Sequence, residues 1–130
     1  MTGPRPLVAV VDDEPAIRKA LSRLLRSVGM DVEVYPSGGD FLAALPLVQP
    51  DCVVLDLHMP VLDGFAVQQS LNELKDRPPV IIITGHDLPE TRARAMAGQP
   101  VAYLRKPMND DALLDAIALA LATTARRRNP

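Results

Sequence analysis

The chain has a single cysteine, Cys52, no tryptophan, and only two tyrosines and two phenylalanines among its 130 residues. One cysteine excludes an internal disulfide framework and fits a reducing compartment. With so few aromatics, the core must be assembled from Val, Leu, Ile and Ala. There is also no surplus of charge of one sign: 14 basic residues face 16 acidic ones, for a formal charge of −2. That balance argues against a dedicated nucleic-acid or membrane-surface binder, which presents a clustered basic face. No apolar stretch approaches the roughly 18–20 uncharged residues that span a bilayer. Nor does an apolar run long enough for a secretory signal follow the N-terminus, because Asp12 and Asp13 interrupt it at once. The expectation is a cytoplasmic protein with no direct contact to nucleic acid or membrane.

What the chain does have is proline. Thirteen prolines fall mostly between periodic segments, where they punctuate the chain. Leu7-Val8-Ala9-Val10-Val11 is an apolar run without alternation, the pattern of a strand covered on both faces. After Asp12-Asp13-Glu14-Pro15, the residues Ile17, Leu21, Leu24 and Val28 form a helical stripe that ends at Gly29. Asp31–Tyr35 alternates and reads as a short strand. Ser37 with Asp40 three residues later resembles a capping box and opens a helix carrying Phe41, Leu42 and Leu45.

The cycle repeats: strand Cys52–Leu55 ends at Asp56, and a helix carries Val67, Leu71 and Leu74. Strand Val80–Ile83 ends at Thr84-Gly85 and is followed by a helix from about Pro89 to Ala97. Strand Val101–Leu104 is followed by Arg105-Lys106-Pro107, and the last helix starts after Asn109 with Leu113, Leu114, Ile117 and Leu121. Five strand–helix units predict an α/β fold, doubly wound, with a five-stranded parallel sheet and helices on both faces. Residues 1–6 read as an N-terminal extension, 7–122 as the folded domain and 123–130 as a basic tail, expected to be frayed.

In doubly wound sheets the site lies beyond the carboxyl ends of the strands. There the first strand delivers Asp12 and Asp13, the third Asp56, the fourth Thr84 and the fifth Lys106. Close carboxylates cannot all stay ionised without a counter-charge. A hard divalent cation that prefers oxygen ligands resolves the conflict: Mg²⁺, or Mn²⁺ in its place. The cation and Lys106 would neutralise phosphoryl oxygens while Thr84 donates a hydrogen bond to one of them. An aspartate can accept phosphate covalently, and Asp56, flanked by the other groups in strand order, is the candidate.

These segments resemble the receiver domain of two-component response regulators: Val10-Val11-Asp12-Asp13-Glu14, Val54-Leu55-Asp56-Leu57-His58-Met59-Pro60 with Asp63-Gly64 behind, Ile82-Ile83-Thr84-Gly85, and Tyr103-Leu104-Arg105-Lys106-Pro107. The resemblance covers roughly residues 7–122. It implies the CheY-like, flavodoxin-like (βα)5 fold with strand order 2-1-3-4-5. It also implies that Asp56 is phosphorylated from a sensor histidine kinase or a histidine phosphotransfer protein. Asp13 would ligate Mg²⁺ directly, Asp12 mostly through water, and Asp56 and the backbone carbonyl of His58 would complete the protein ligands. Lys106 would pair with the phosphoryl group, and its bond to Pro107 would be cis. Thr84 would move toward the phosphoryl group, with Tyr103 swinging inward as the switch aromatic.

The stretches Ile83-Thr84-Gly85-His86 and Pro36–Leu42 look most like receivers of the FixJ type, which usually carry a DNA-binding output domain. Such a domain would belong to another polypeptide or to a segment outside these 130 residues. Gln99-Pro100 stands where the family commonly has an alanine, and should stiffen the entry to the fifth strand.

His58 and His86 each sit two residues past a site residue. They either overhang the pocket and modulate it or are exposed loop histidines without a role. The plainer reading of Tyr103 is a half-buried strand aromatic, and Cys52 reads as a small core residue. The helix Pro89–Ala97 has Met96 as its single large apolar side chain, so it should be weakly held. Leu119 lies about 200° from Ile117 around the last helix. In this family the face of helix four, strand five and helix five often makes a homodimer or partner contact, and Leu119 is a candidate there.

Two other readings compete. A receiver can serve protein contact alone, though every acceptor-site residue is present here. A haloacid-dehalogenase-like phosphohydrolase places its nucleophile first in the chain with a second Asp two residues on. Here the acid pair leads, and His58 stands two residues after Asp56. A flavodoxin-type carrier needs a phosphate loop where Asp12-Asp13-Glu14 would repel phosphate. The chain therefore reads as a phosphoacceptor module and not as an enzyme with a turnover substrate.

Overall fold

A computed structural model describes residues 5–128. The elements run β1 (Leu7–Val11), α1 (Pro15–Ser27), β2 (Asp31–Tyr35), α2 (Gly38–Ala44), β3 (Cys52–Asp56), α3 (Gly64–Asn72), β4 (Val80–Thr84), α4 (Pro89–Ala97), β5 (Ala102–Arg105) and α5 (Asp110–Arg128). All strands are parallel, in the order β2-β1-β3-β4-β5. The architecture is the CheY-like (βα)5 fold anticipated above.

Because side chains alternate across a strand, each central strand feeds two cores. Val8 and Val10, Val54, and Ile81 and Ile83 pack with Leu21 and Leu25 of α1 and Leu113 and Ile117 of α5. Ala9 and Val11, Val53 and Leu55, and Ile82 pack with Phe41 of α2, Val67 and Leu71 of α3 and Ala95 of α4. Burial on both faces is why β1, β3 and β4 read as unbroken apolar runs. Local signals hold at the helix ends as well. Ser37 Oγ accepts a hydrogen bond from Asp40 N at 3.1 Å, and Asp63 Oδ1 accepts one from Ala66 N at 3.0 Å.

Several expectations are corrected. On α1 the buried pair is Leu21 and Leu25, whereas Leu24 is half-buried and Val28, which lies past the last helical residue, is exposed. Steps of four from Leu21 stay over the sheet, while Leu24 falls to its flank. Leu74 is exposed because α3 stops at Asn72. β5 begins at Ala102, one residue later than expected, although Val101 N already bonds Val80 O at 2.8 Å just ahead of the ladder.

The expected fraying of the tail also fails, because α5 continues through Arg128. Polar anchors replace the missing apolar stripe. The Thr124 hydroxyl donates to Asp51 O at 2.7 Å, Arg128 pairs with the Asp51 carboxylate, and Arg127 donates to Arg77 O. Arginines in the last turn also suit the negative end of the helix dipole. Residues 1–4 and 129–130, the outer parts of the expected extension and tail, lie outside the described residues.

Candidate functional site

Asp12, Asp13, Asp56, Thr84 and Lys106 meet at the carboxyl ends of the strands. Asp12 and Thr84 are fully buried, Asp56 nearly so, and Asp13 half-buried. One oxygen from each of Asp12, Asp13 and Asp56 lies within 4.8 Å of the other two. Three strand ends repeat one local motif, in which the side chain accepts a hydrogen bond from the amide two residues on. Glu14 N donates to Asp12 Oδ1 at 2.8 Å, His58 N to Asp56 Oδ1 at 3.3 Å, and His86 N to Thr84 Oγ1 at 3.0 Å. These side-chain turns hold the polar groups at the rim instead of letting them rotate into solvent.

Lys106 balances the acids. Its Nζ lies 2.9 Å from Asp12 Oδ2, 2.8 Å from Glu14 Oε1 and 3.5 Å from Asp56 Oδ1. The Lys106–Pro107 peptide is cis, as the resemblance implied. Burial works against the lysine's charge, but the bonds to Glu14 and Asp12 and the charge of Asp56 outweigh it and raise its pKa. Even so, the acids outnumber the one ammonium. Burial first, and the charge of Asp12 second, push the Asp56 carboxyl up to about 7, against the pull of Lys106 and the His58 amide. Asp12 Oδ2 is buried and makes no hydrogen bond, its ion pair with Lys106 apart. Three carboxylates at one rim, with a single ammonium to offset them, are the donor set of a hard divalent cation. The residues therefore fit such an ion.

Gly64, the first residue of α3, closes the site from behind. A Cβ there would stand 2.3 Å from Asp56 O and 2.6 Å from Leu57 Cα, so α3 reaches this close to the end of β3 only through glycine. The loop before it contains a γ-turn, with Leu62 N donating to Pro60 O at 2.8 Å and the exposed Val61 at φ 69°.

Tyr103 is half-buried beside α4. Its hydroxyl donates to Asp87 Oδ1 at 3.0 Å, and the Arg92 guanidinium stands 5.2 Å from its ring centre. Burial, followed by the bond to Asp87, pushes its pKa up to about 12. Ala95 is the only buried residue of α4; the helix is tied instead by Gln68 Nε2 donating to Ala95 O and Asn72 Nδ2 to Gly98 O. Gln99, before Pro100, adopts φ 58°. Met96 and Leu119 are exposed. His58 and His86 are also exposed, their ring centres 4.6 Å apart. A cavity of about 790 Å³ lies elsewhere, lined in part by Leu42, Leu45, Leu74 and Arg127, and includes none of the acidic-site residues.

Sequence reasoning did not assign roles to Glu14 or Asp87. Glu14 had a signal, since it directly follows the acid pair. Asp87 had none, because its link to Tyr103 spans 16 positions and arises only when β4 and β5 pair.

A five-stranded (βα)5 sheet with a carboxylate triad and a lysine at its carboxyl rim defines the CheY-like class of signalling domains. The model for the response regulator receiver domain matches residues 8–118, and the chain belongs to that family. It is 39% identical over 125 residues to nodulation protein W of Bradyrhizobium diazoefficiens, a match covering 95% of this chain and 55% of that protein. It is 36% identical over 113 residues to the transcriptional regulatory protein FixJ of Rhizobium meliloti, covering 87% and 55%. Among solved structures, a response regulator receiver protein from Burkholderia phymatum shares 43% identity with a TM-score of 0.81, covering 91% of this chain and 96% of that one. The chain thus spans about half the length of the curated relatives it matches. Among the described residues no helix is long and apolar enough to cross a membrane.

Proposed function

We propose that this domain accepts a phosphoryl group on Asp56 from the phosphohistidine of a sensor histidine kinase or a histidine phosphotransfer protein. The observation that supports this reading best is the triad of Asp12, Asp13 and Asp56 converging with Lys106 at one rim. Asp12, Asp13, Asp56 and the His58 carbonyl would hold Mg²⁺, which supplies positive charge to the transferring phosphoryl oxygens.

An Asp56 carboxylate oxygen attacks phosphorus in line; the P–N bond to the donor imidazole breaks, a P–O bond forms, and the departing imidazole takes up a proton. Lys106 shares its charge between Asp12 and Glu14 beforehand and pairs with a phosphoryl oxygen afterwards. Thr84 Oγ1 already accepts from His86 N, which leaves its own proton to donate to the phosphoryl group. That shift draws on the β4–α4 loop and on Tyr103, whose bond to Asp87 would exchange as the ring moves inward. The lightly packed α4 then carries the change to the face formed by α4, β5 and α5, where Met96 and Leu119 stand exposed. That face would contact a partner, a second copy or an output domain, and residues 7–122 would act as the receiver unit of a longer regulator.

The test is intact mass after acetyl phosphate, with Mg²⁺ and with excess chelator, beside Asp56→Ala. A single Mg²⁺-dependent phosphoryl adduct, absent in the variant, is expected. An adduct that survives in Asp56→Ala would refute the acceptor, and no adduct from either acetyl phosphate or a phosphorylated kinase would favour a receiver used only for contact.

A further inference from the structure

His58 and His86 are the only histidines in the chain. They come from different loops, β3–α3 and β4–α4, yet their ring centres are 4.6 Å apart with planes at 73°. The backbone holds them there: His58 N bonds Asp56, His86 N bonds Thr84, and His86 O accepts from Leu88 N. Both rings face solvent, and among the described residues neither ring nitrogen enters a hydrogen bond or an ion pair.

We propose that His58 and His86 form a two-imidazole site for a borderline divalent transition metal such as Zn²⁺, distinct from the hard-cation site at the carboxylates. Imidazole nitrogen suits Zn²⁺, Cu²⁺ and Ni²⁺, whereas carboxylate and carbonyl oxygens suit Mg²⁺. Donor type thus separates two neighbouring sites. With tetrahedral geometry and ordinary Zn–N bonds, two rings on one zinc have centres about 5 Å apart. The observed 4.6 Å is close to that spacing, and rotation about the exposed side-chain bonds would turn one nitrogen of each ring toward a shared ion. The backbone bonds fix where each side chain leaves its loop, so binding has only the side-chain torsions to order. Water fills the remaining coordination positions. A cation held there ties the β3–α3 loop to the β4–α4 loop across the mouth of the acidic pocket, and so restrains the turn that carries Thr84. The site does not rest on the phosphoacceptor reading.

The experiment is calorimetric titration of the 130-residue chain with Zn²⁺ under saturating Mg²⁺, beside His58→Ala, His86→Ala and Asp56→Asn. Cys52 is fully buried and offers no competing thiolate. One zinc equivalent is expected, weakened by about tenfold or more in each histidine variant and retained in Asp56→Asn. Both imidazole positions are exposed, and unchanged thermal melts will show that the variants are folded. Binding unchanged in either histidine variant, binding lost in Asp56→Asn, or no zinc equivalent above the Mg²⁺-saturated baseline would each overturn the proposal. Failure of Asp56 to take phosphate would leave this result intact.

Discussion

Lys106, just past the edge strand β5, places its ammonium 2.9 Å from Asp12, at the end of β1, with β3 and β4 lying between them in the sheet. The long lysine stem thus spans the rim and compensates the most deeply buried acid in the domain. Removing that charge while leaving the acids should be costly, because a buried carboxylate without a partner is more harmful than a missing pair. Lys106→Met is expected to lower stability by about 2–4 kcal/mol in chelator. Mg²⁺ should recover most of the loss, since it takes over the compensation. Denaturant melts with and without Mg²⁺ will show this, and a loss indifferent to the metal would refute the account.

The Asp56 carboxyl titrates at about 7, against 3.8 for an unperturbed aspartate. A raised acid keeps its proton in the folded state where the unfolded chain has already lost it. Its contribution to stability is therefore full at low pH and is given up as the pH climbs from about 4 to about 7. Asp56→Asn carries no such proton. In chelator the variant should gain on the parent as the pH rises from about 4 to about 7 and hold that gain above it, and Mg²⁺ should shrink the gain. Thermal melts across that range are the measurement, and a gain independent of pH would contradict the assignment.

Gly64→Ala would drive a Cβ into the Asp56 carbonyl and the Leu57 backbone, neither of which can swing aside. A loss of about 2–4 kcal/mol is expected, with a lower yield of phosphoryl adduct at matched Mg²⁺. Gly39→Ala is the control, since a Cβ at that position meets nothing within 4 Å. Equal behaviour of the two variants would show that the close approach carries no cost.

Val61 is a β-branched residue at φ 69°, with its side chain wholly exposed. Such a conformation is strained for valine and open to glycine. Val61→Gly should therefore raise stability by about 1 kcal/mol, since no packing is lost. Urea titration will read the change; a destabilised variant would mean that the valine side chain makes a contact that compensates the strain.

The strands were legible because burial on both faces leaves an uninterrupted apolar run, as in Cys52–Leu55 and Val80–Ile83. The acids and Thr84 were legible because each stands at the end of such a run. Which helical residues face the core was read less well. The Leu24–Val28 pair fits a helical period as well as Leu21–Leu25, and only docking on the sheet selects between them. The last turn of α5 was missed because it is held by hydrogen bonds to Asp51 and Arg77, residues far away in the chain.

The sequence by itself determined the alternation of buried strands with helices and the chemical type of each group at the strand ends, because those are properties of local pattern and residue identity. The tertiary structure decided what those groups do to one another. Lys106 is shared among Asp12, Glu14 and Asp56, the Asp56 carboxyl is pushed toward neutrality, Tyr103 is held by Asp87, and His58 meets His86. Coulomb energies, desolvation and ligand geometry depend on distances across strands that are remote in the chain, and those distances come into being only when the sheet assembles.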